Sequence, residues 1–339
     1  MLTTFVAFVR ALLSAVMIFS TVLAPVTGDR YGKIKRAKDD CNASFAVISD
    51  THLKDNFIRE GMLDLGLDDM ADAKDRLDAV VFDGDITDNS QDDMWDCFAR
   101  AVSNYDIADQ KILVIGNHDT WGHEDENGED DPEAVRQTFI KYNRQIAGRE
   151  LENVYYSTEI NGYPVIVLGS EGCHTSATVS QTQIDWFAQE MEKASQTGLP
   201  IFVFMHQPIN HTHGLPYTWS MDANDPPDKG GIGDASDDIL DIIRQYKNVF
   251  FISGHIHEGF SKETDRNPYV SVEKYNNYTL VNVPCYMYMD FLRGGNLTNG
   301  TGYVFEVYDG SVLIRARNFA TSTWCSRYDV EIPLVNEEN

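Results

Sequence analysis

Positive charge is scarce in this chain. Its 339 residues carry 27 Lys and Arg against 53 Asp and Glu, a net charge of −26. A general nucleic-acid binder needs a basic footprint, so a long nucleic acid is excluded as a partner. An acidic surface serves solubility, but a protein this acidic needs a local source of positive charge if it is to handle an anionic substrate. Bound divalent metal is one such source. Cysteine is also sparse. Cys41, Cys97, Cys173, Cys285 and Cys325 are widely spaced with no CxxC pair, which excludes a zinc ribbon. One or two disulfides fit an oxidising compartment, with no pairing legible. Glycine and proline are not in excess, which excludes pervasive disorder. No internal repeat is visible. Beyond Gly28 no apolar run is long enough to span a bilayer. The acidic, turn-rich stretches 124–131 and 221–238 lack EF-hand spacing and read as solvated loops.

What is present begins with an export segment. Arg10 precedes an apolar stretch, Ala11 to Ala24, broken only by Ser14, Ser20 and Thr21. Small residues follow, and Ala24 and Gly28 end the candidate cleavage sites. Residues 1–28 therefore read as a signal peptide or a retained N-terminal anchor. The protein is expected outside the cytoplasm, with no stable membrane span once the segment is cleaved. Residues 29–44, polar and mixed in charge, read as a linker, and 45–335 as one domain.

Within that domain short apolar runs end abruptly in polar residues: Phe45–Ile48, Ala79–Phe82, Ile112–Ile115, Val165–Leu168, Ile201–Met205 and Val249–Ile252. Such runs suit buried strands of an α/β sheet. Helices are expected at Asp92–Ser103, from Asp131-Pro132 onward, at Thr182–Lys193 and at Ser236–Tyr246. The chain closes with strands at Thr279–Val283, Gly302–Tyr308 and Val312–Arg317, the last two joined by Asp309-Gly310.

Polar clusters sit where the runs stop. They are Ser49-Asp50-Thr51-His52, Asp83-Gly84-Asp85-Ile86-Thr87-Asp88, Gly116-Asn117-His118-Asp119, His206 and Gly254-His255-Ile256-His257. Ligands gather beyond the carboxyl ends of strands in such sheets, so these clusters are expected to converge in one cleft. Their carboxylates and imidazoles suit zinc, manganese or iron without thiolate. With one shared Asp the set provides four coordination bonds to each of two metals. Gly-His-x-His on an extended chain points its imidazoles to opposite faces, so a local bend is required.

The ordered set Asp50-x-His52, Gly84-Asp85-x-x-Asp88, Gly116-Asn117-His118-Asp119, His206 and Gly254-His255-x-His257 resembles the calcineurin-like metallophosphoesterase superfamily. VISDTHL, GDITD and GNHD are similar to its cyclic-nucleotide phosphodiesterase branch. The resemblance implies an α/β fold: a four-layer metallophosphoesterase sandwich, two mixed β-sheets flanked by helices. It implies two divalent or trivalent transition-metal ions. Asp50, His52, Asp85 and His257 would hold one ion, and Asp85, Asn117, His206 and His255 the other. His118 would face the substrate as acid or transition-state donor, oriented by Asp119. Purple acid phosphatases place a tyrosine where Asp88 stands, and protein Ser/Thr phosphatases an Arg-Gly where Asn89-Ser90 stands, so neither branch fits.

The reading is a hydrolase of small phosphate esters, a phosphodiesterase acting by in-line attack of a metal-bridging hydroxide. Two divalent metals, Asp50, Asp85 and hydroxide sum to near +1, which a monoanionic diester neutralises. A phosphomonoesterase and a non-catalytic metal-binding module are the alternatives. His211 and His213, just after His206, are candidate substrate contacts. Trp121, Tyr217 and Trp219 are candidates for stacking on a nucleobase. No spacing argument assigns His123 or His174.

Overall fold

The computed structural model describes residues 30–54, 56–172, 175–215, 217–218, 230–265, 268–287 and 299–335. The export segment lies outside the described residues, as do Cys173, His174 and Trp219. Among the described residues no helix is long and apolar enough to cross a membrane.

The first half runs β1 (Arg30–Tyr31), β2 (Ala43–Ile48), α1 (Phe57–Ala71), β3 (Ala79–Asp83), α2 (Asp92–Ser103), β4 (Gln110–Val114), α3 (Pro132–Ala147), β5 (Tyr156–Ile160), β6 (Tyr163–Val167) and α4 (Gln181–Ser195). It continues through β7 (Ile201–Phe204), α5 (Ser236–Ile243), β8 (Val249–Ser253), β9 (Val272–Lys274), β10 (Tyr278–Asn282), β11 (Thr301–Tyr308), β12 (Ser311–Asn318), β13 (Thr323–Trp324) and β14 (Val330–Pro333). One sheet has the order β1-β13-β12-β11-β2-β3-β4, with β14 also on β12; the other is β5-β6-β7-β8-β10-β9. Both are mixed. In the first, β2, β3 and β4 are parallel and the closing strands antiparallel. In the second, β6, β7, β8 and β10 are parallel.

Strand alternation divides each sheet into two apolar faces. Phe45 packs edge-on to Phe202 with ring centroids 5.0 Å apart and stacks on Phe305 at 4.9 Å, so these side chains fill the space between the sheets. On the outer face of the second sheet, Ile201, Val203, Met205 and Phe251 meet Ile184, Phe187 and Met191 of α4 and Ile239 and Ile243 of α5. On the outer face of the first, Phe82 meets Phe98 of α2 at 4.9 Å. The result is the four-layer α/β sandwich.

Helix ends follow local chemistry. Asp131 accepts from the amides of Glu133 and Ala134 ahead of Pro132, and Gly148 stops α3 in the left-handed region at φ 65°. Helix α1, absent from the expected helices, is capped by Asn56. Two of its buried positions are Gly66 and Asp69 rather than apolar residues, which blurs its stripe. Gly66 leaves room for the Tyr286 hydroxyl. Asp69 receives a bidentate pair from Arg317 of β12 at 2.6 and 2.7 Å, both groups buried.

The linker reading of 29–44 does not survive from Arg30 onward. Arg30 and Tyr31 pair with β13, Ile34 is buried in the core, and Ala43 and Ser44 already belong to β2. Arg317 also donates to the Gly32 carbonyl, and buried Glu306 accepts from the Ala37 amide. The partners that tie this polar stretch down come from the far end of the chain and from the segment after α1, where Asp75 accepts from the Arg36 amide. Cys41, Cys97, Cys285 and Cys325 are buried and form no disulfide with one another.

Removing one member of a buried ion pair strands the other, a loss of about 3–5 kcal/mol. Asp69→Ala is therefore expected to lower the unfolding free energy by about that amount in urea titrations. A loss near zero would mean that the pair does not hold α1 to the sheet.

Candidate metal centre

The polar clusters all leave the sheets at one edge. Asp50 and His52 follow β2, Asp85 follows β3, Asn117 follows β4, His206 follows β7, and His255 and His257 follow β8. The chain turns sharply as it leaves. Asp50 (φ 58°), His52 (41°), Asp85 (47°), His255 (71°) and His257 (60°) all adopt the left-handed region. Non-glycine residues rarely do so, and such strain clusters at functional sites. The bend required of Gly-His-x-His is thus made by the two histidines themselves. Two glycines allow the close approach: a Cβ on Gly84 would overlap the His206 ring, and one on Gly254 would overlap the Ser49 hydroxyl.

Potential ligand atoms of Asp50, His52, Asp85 and His257 lie within 4.8 Å of one another, as do those of Asp85, His206 and His255. Asp85 belongs to both sets. His206 Nε2 is 3.2 Å from Asp85 Oδ2 and 3.7 Å from Asp50 Oδ1. His257 Nε2 is 3.0 Å from Asp50 Oδ1 and 3.0 Å from His52 Nε2. Asn117 is buried with no hydrogen-bond partner for its Oδ1 among the described residues. The next residue's amide donates to Asp85 Oδ1 at 2.8 Å, which places the asparagine beside the shared carboxylate. These donors fit a pair of metal ions. Buried carboxylates face imidazole nitrogens across gaps of ligand size, and an amide oxygen has no other partner. His52, Asp88 and His118 also lie within 4.8 Å, but the Asp88 carboxylate is taken by Lys54 and Arg59.

The ligands are held from behind. His206 Nδ1 donates to the Asp83 carbonyl at 2.7 Å, which aims Nε2 at the carboxylates. Asn282, at the end of β10, donates to the Gly254 carbonyl at 2.5 Å and accepts from the Tyr269 hydroxyl at 3.0 Å. It fixes the His255 turn and was not singled out in the sequence, although it is a buried polar residue at the end of an apolar run. Burial opposes charge on Asp50, yet His206 and His257 outweigh it and hold the carboxyl below its usual range. Burial also opposes a proton on His206, but Asp85, Asp50 and Asp83 prevail and raise it to about 10. Burial pushes His52 and His255 down to about 3. Without metal, a proton on His206 therefore supplies the cation the carboxylates require.

His118 stands beside the cluster, its ring centroid 4.5 Å from that of His52 and 3.9 Å from that of Trp121. Its Nδ1 donates to the Asp88 carbonyl at 2.7 Å. The expected orienting role of Asp119 is therefore corrected. Asp119 accepts from the amides of Gly116, Ile86 and Thr87 and from the Thr87 hydroxyl at 2.8–3.1 Å, and so braces the turn that carries Asp85. Burial and the neighbouring Asp85 charge push its carboxyl up to about 6. His213 is also corrected as a substrate contact. It is buried, Nδ1 on the Val270 carbonyl and its amide on Glu273, so it holds loops together. His211 is exposed on a turn. His123 pairs with the Ser90 hydroxyl, and Tyr217 is exposed.

Metal binding requires neutral imidazole, so uptake must release the His206 proton. At pH 7, below its raised pKa of about 10, calorimetric titration with zinc in buffers of different ionisation enthalpy is expected to report proton release. Apparent affinity rises with pH across the neutral range; zero release at pH 7 would refute the assignment. Asp119→Ala is expected to weaken metal binding by about 10–100-fold, read as bound metal after dialysis.

Comparison with known proteins agrees with this geometry. A search of curated proteins finds no match. Among solved structures, a dimetal phosphatase from Danio rerio superposes with a TM-score of 0.56 at 14% identity, covering 87% of this chain and 100% of that one. A purple acid phosphatase from yellow lupin seeds gives 0.57 at 11% identity, covering 86% of this chain and 53% of that one. At such identities these likenesses establish the fold alone. The family model for calcineurin-like phosphoesterases matches residues 43–259, which includes every member of the Asp/Asn/His cluster. The chain belongs to the calcineurin-like phosphoesterase family and is a metal-dependent phosphoester hydrolase built around a binuclear metal centre.

Proposed function

We propose that the chain is a phosphodiesterase acting on nucleotides or other small organophosphates. The observation that carries this reading is the separation of the cluster carboxylates from the side-chain cations of the described residues. Lys54 and Arg59 are paired with Asp88, not with Asp50 or Asp85. Ser90 turns inward to Trp95 and His123, so the turn after Asp85 brings no guanidinium to the floor of the site. A dianionic monoester favours extra cations around its phosphoryl oxygens; a diester, with one negative charge, does not.

The remaining groups suit a diester as well. Bound metal ions would supply Lewis-acid polarisation of the phosphoryl group and an activated water at neutral pH. His118 is oriented by the Asp88 carbonyl, which leaves Nε2 to serve the substrate. A protonated Nε2 donates to the departing ester oxygen, which an unactivated alkoxide needs. Trp121 covers one side of the His118 ring and limits its hydration. The net charge of −26 supports small substrates over long polyanions. The apolar stretch Ala11 to Ala24 supports action outside the cytoplasm.

Protein reconstituted with manganese or zinc is expected to hydrolyse bis-p-nitrophenyl phosphate with a higher kcat/KM than p-nitrophenyl phosphate, and chelator to abolish both activities. His118→Ala is expected to lose about 10² to 10⁴ in kcat on a diester with an alkyl leaving group while retaining both metals. A tenfold or greater preference for the monoester would overturn the diester reading.

A further inference from the structure

We propose that Lys54, backed by Arg59, forms a subsite for a second phosphate. The preferred substrates are then diesters of diphosphate, in which the leaving group is itself a phosphate monoester. This rests on the phosphodiesterase reading of the Asp50–Asp85 site.

Asp88 connects the subsite to the chemistry. Its carbonyl accepts from His118 Nδ1 at 2.7 Å, and its carboxylate accepts from Lys54 Nζ at 2.8 Å and Arg59 Nη1 at 3.0 Å. His118 and the two cations therefore stand at one corner of the site, the corner of the departing group. Asp88 Oδ1 is 3.9 Å from His52 Nδ1, the ring nitrogen opposite the one that faces the cluster. The cations are thus set back by the width of an imidazole. They are too remote to grip the phosphorus under attack and suitably placed for the next phosphate along.

Among the described residues two cations meet one carboxylate, a surplus of one positive charge at this corner within a protein of net charge −26. Helix stability does not explain the surplus. Arg59 lies in the first turn of α1 and Lys54 shortly before its Asn56 cap, where the helix dipole disfavours cations and favours an anion. Arg59 is committed to Asp88 and the His52 carbonyl, with its side chain 14% exposed. Lys54 is 38% exposed and donates to Asp88 through one of the three N–H groups of an ammonium. Lys54 is the member able to meet a ligand.

In the proposed reaction water adds to one phosphorus and the bond to the bridging oxygen breaks. The bridging oxygen leaves with the electron pair as part of the second phosphate. Each product keeps one of the two water protons, so one diphosphate dianion and one water give two phosphate monoester monoanions.

The test compares P1,P2-diphenyl diphosphate with bis-p-nitrophenyl phosphate on the metal-reconstituted protein. The wild type is expected to favour the diphosphate. Lys54→Ala is expected to lower the ratio of the two kcat/KM values about tenfold or more, carried by KM. Lys54→Arg restores the ratio to within about threefold, and Lys54→Glu lowers it below the alanine variant. Residual turnover of bis-p-nitrophenyl phosphate by each variant reports an intact fold. An unchanged ratio in Lys54→Ala, or an equal loss on both substrates, overturns the subsite and leaves the phosphodiesterase reading standing. No turnover of either substrate by the wild type with manganese or zinc overturns both.

Discussion

Two carboxylates buried together, Asp50 and Asp85, impose the constraint from which the rest of the site follows. Like charges in a low-dielectric interior must be neutralised or matched by cations. The chain matches them with imidazoles brought from β2, β7 and β8, and gathering these around one point forces five ligands into the left-handed backbone region. At roughly 1–3 kcal/mol for each strained residue, the total is comparable with the net stability of a whole domain, roughly 5–15 kcal/mol. A cluster of strained ligands needs a rigid support. It stands because each strained residue lies two or four positions beyond a fully buried strand, and the two sheets interlock through Phe45, Phe202 and Phe305.

That arrangement explains why the fold and the cluster could be read from the sequence. A strand buried on both faces is an uninterrupted apolar run, and it stops where the chain leaves the sheet, which in a parallel sheet is where ligands gather. Asp50, Asp85, Asn117, His206 and His255 each follow such a stop. Relations set by tertiary contact were not legible. Asp119 follows His118 directly, yet in the tight turn after β4 the two side chains diverge: one towards the amides of Gly116, Ile86 and Thr87, the other towards Asp88. His213 reads from the sequence as a substrate contact because the groups that bury it, Tyr269 and Val270, lie more than fifty residues on. The stretch after Arg30 reads as a linker because its anchors are remote in sequence: Asp75 lies beyond α1, and Glu306 and Arg317 come from β11 and β12. Local pattern reports what a residue does to its own segment, and these residues act on someone else's.

The acidity of the chain poses a different question, because the substrate is an anion. At physiological ionic strength charges are screened over about 8 Å, so acidic residues on distant faces contribute little at the mouth of the site. What an approaching ester meets is local: the cluster floor, His118 beneath Trp121, and the Lys54–Asp88–Arg59 corner. These parts draw on different segments. The floor is built from strand ends and is braced by buried groups such as Asp119 and Asn282. The corner is built from the exit of β2 and the first turn of α1, and Lys54 is half-exposed. A change at the floor disturbs backbone strain and metal geometry together, whereas a change at the corner alters one exposed charge. Reaction chemistry is therefore fixed by the part of the molecule that tolerates least, and substrate choice by the part that tolerates most. Family membership is legible across remote relatives for the first reason, and substrate identity is not for the second.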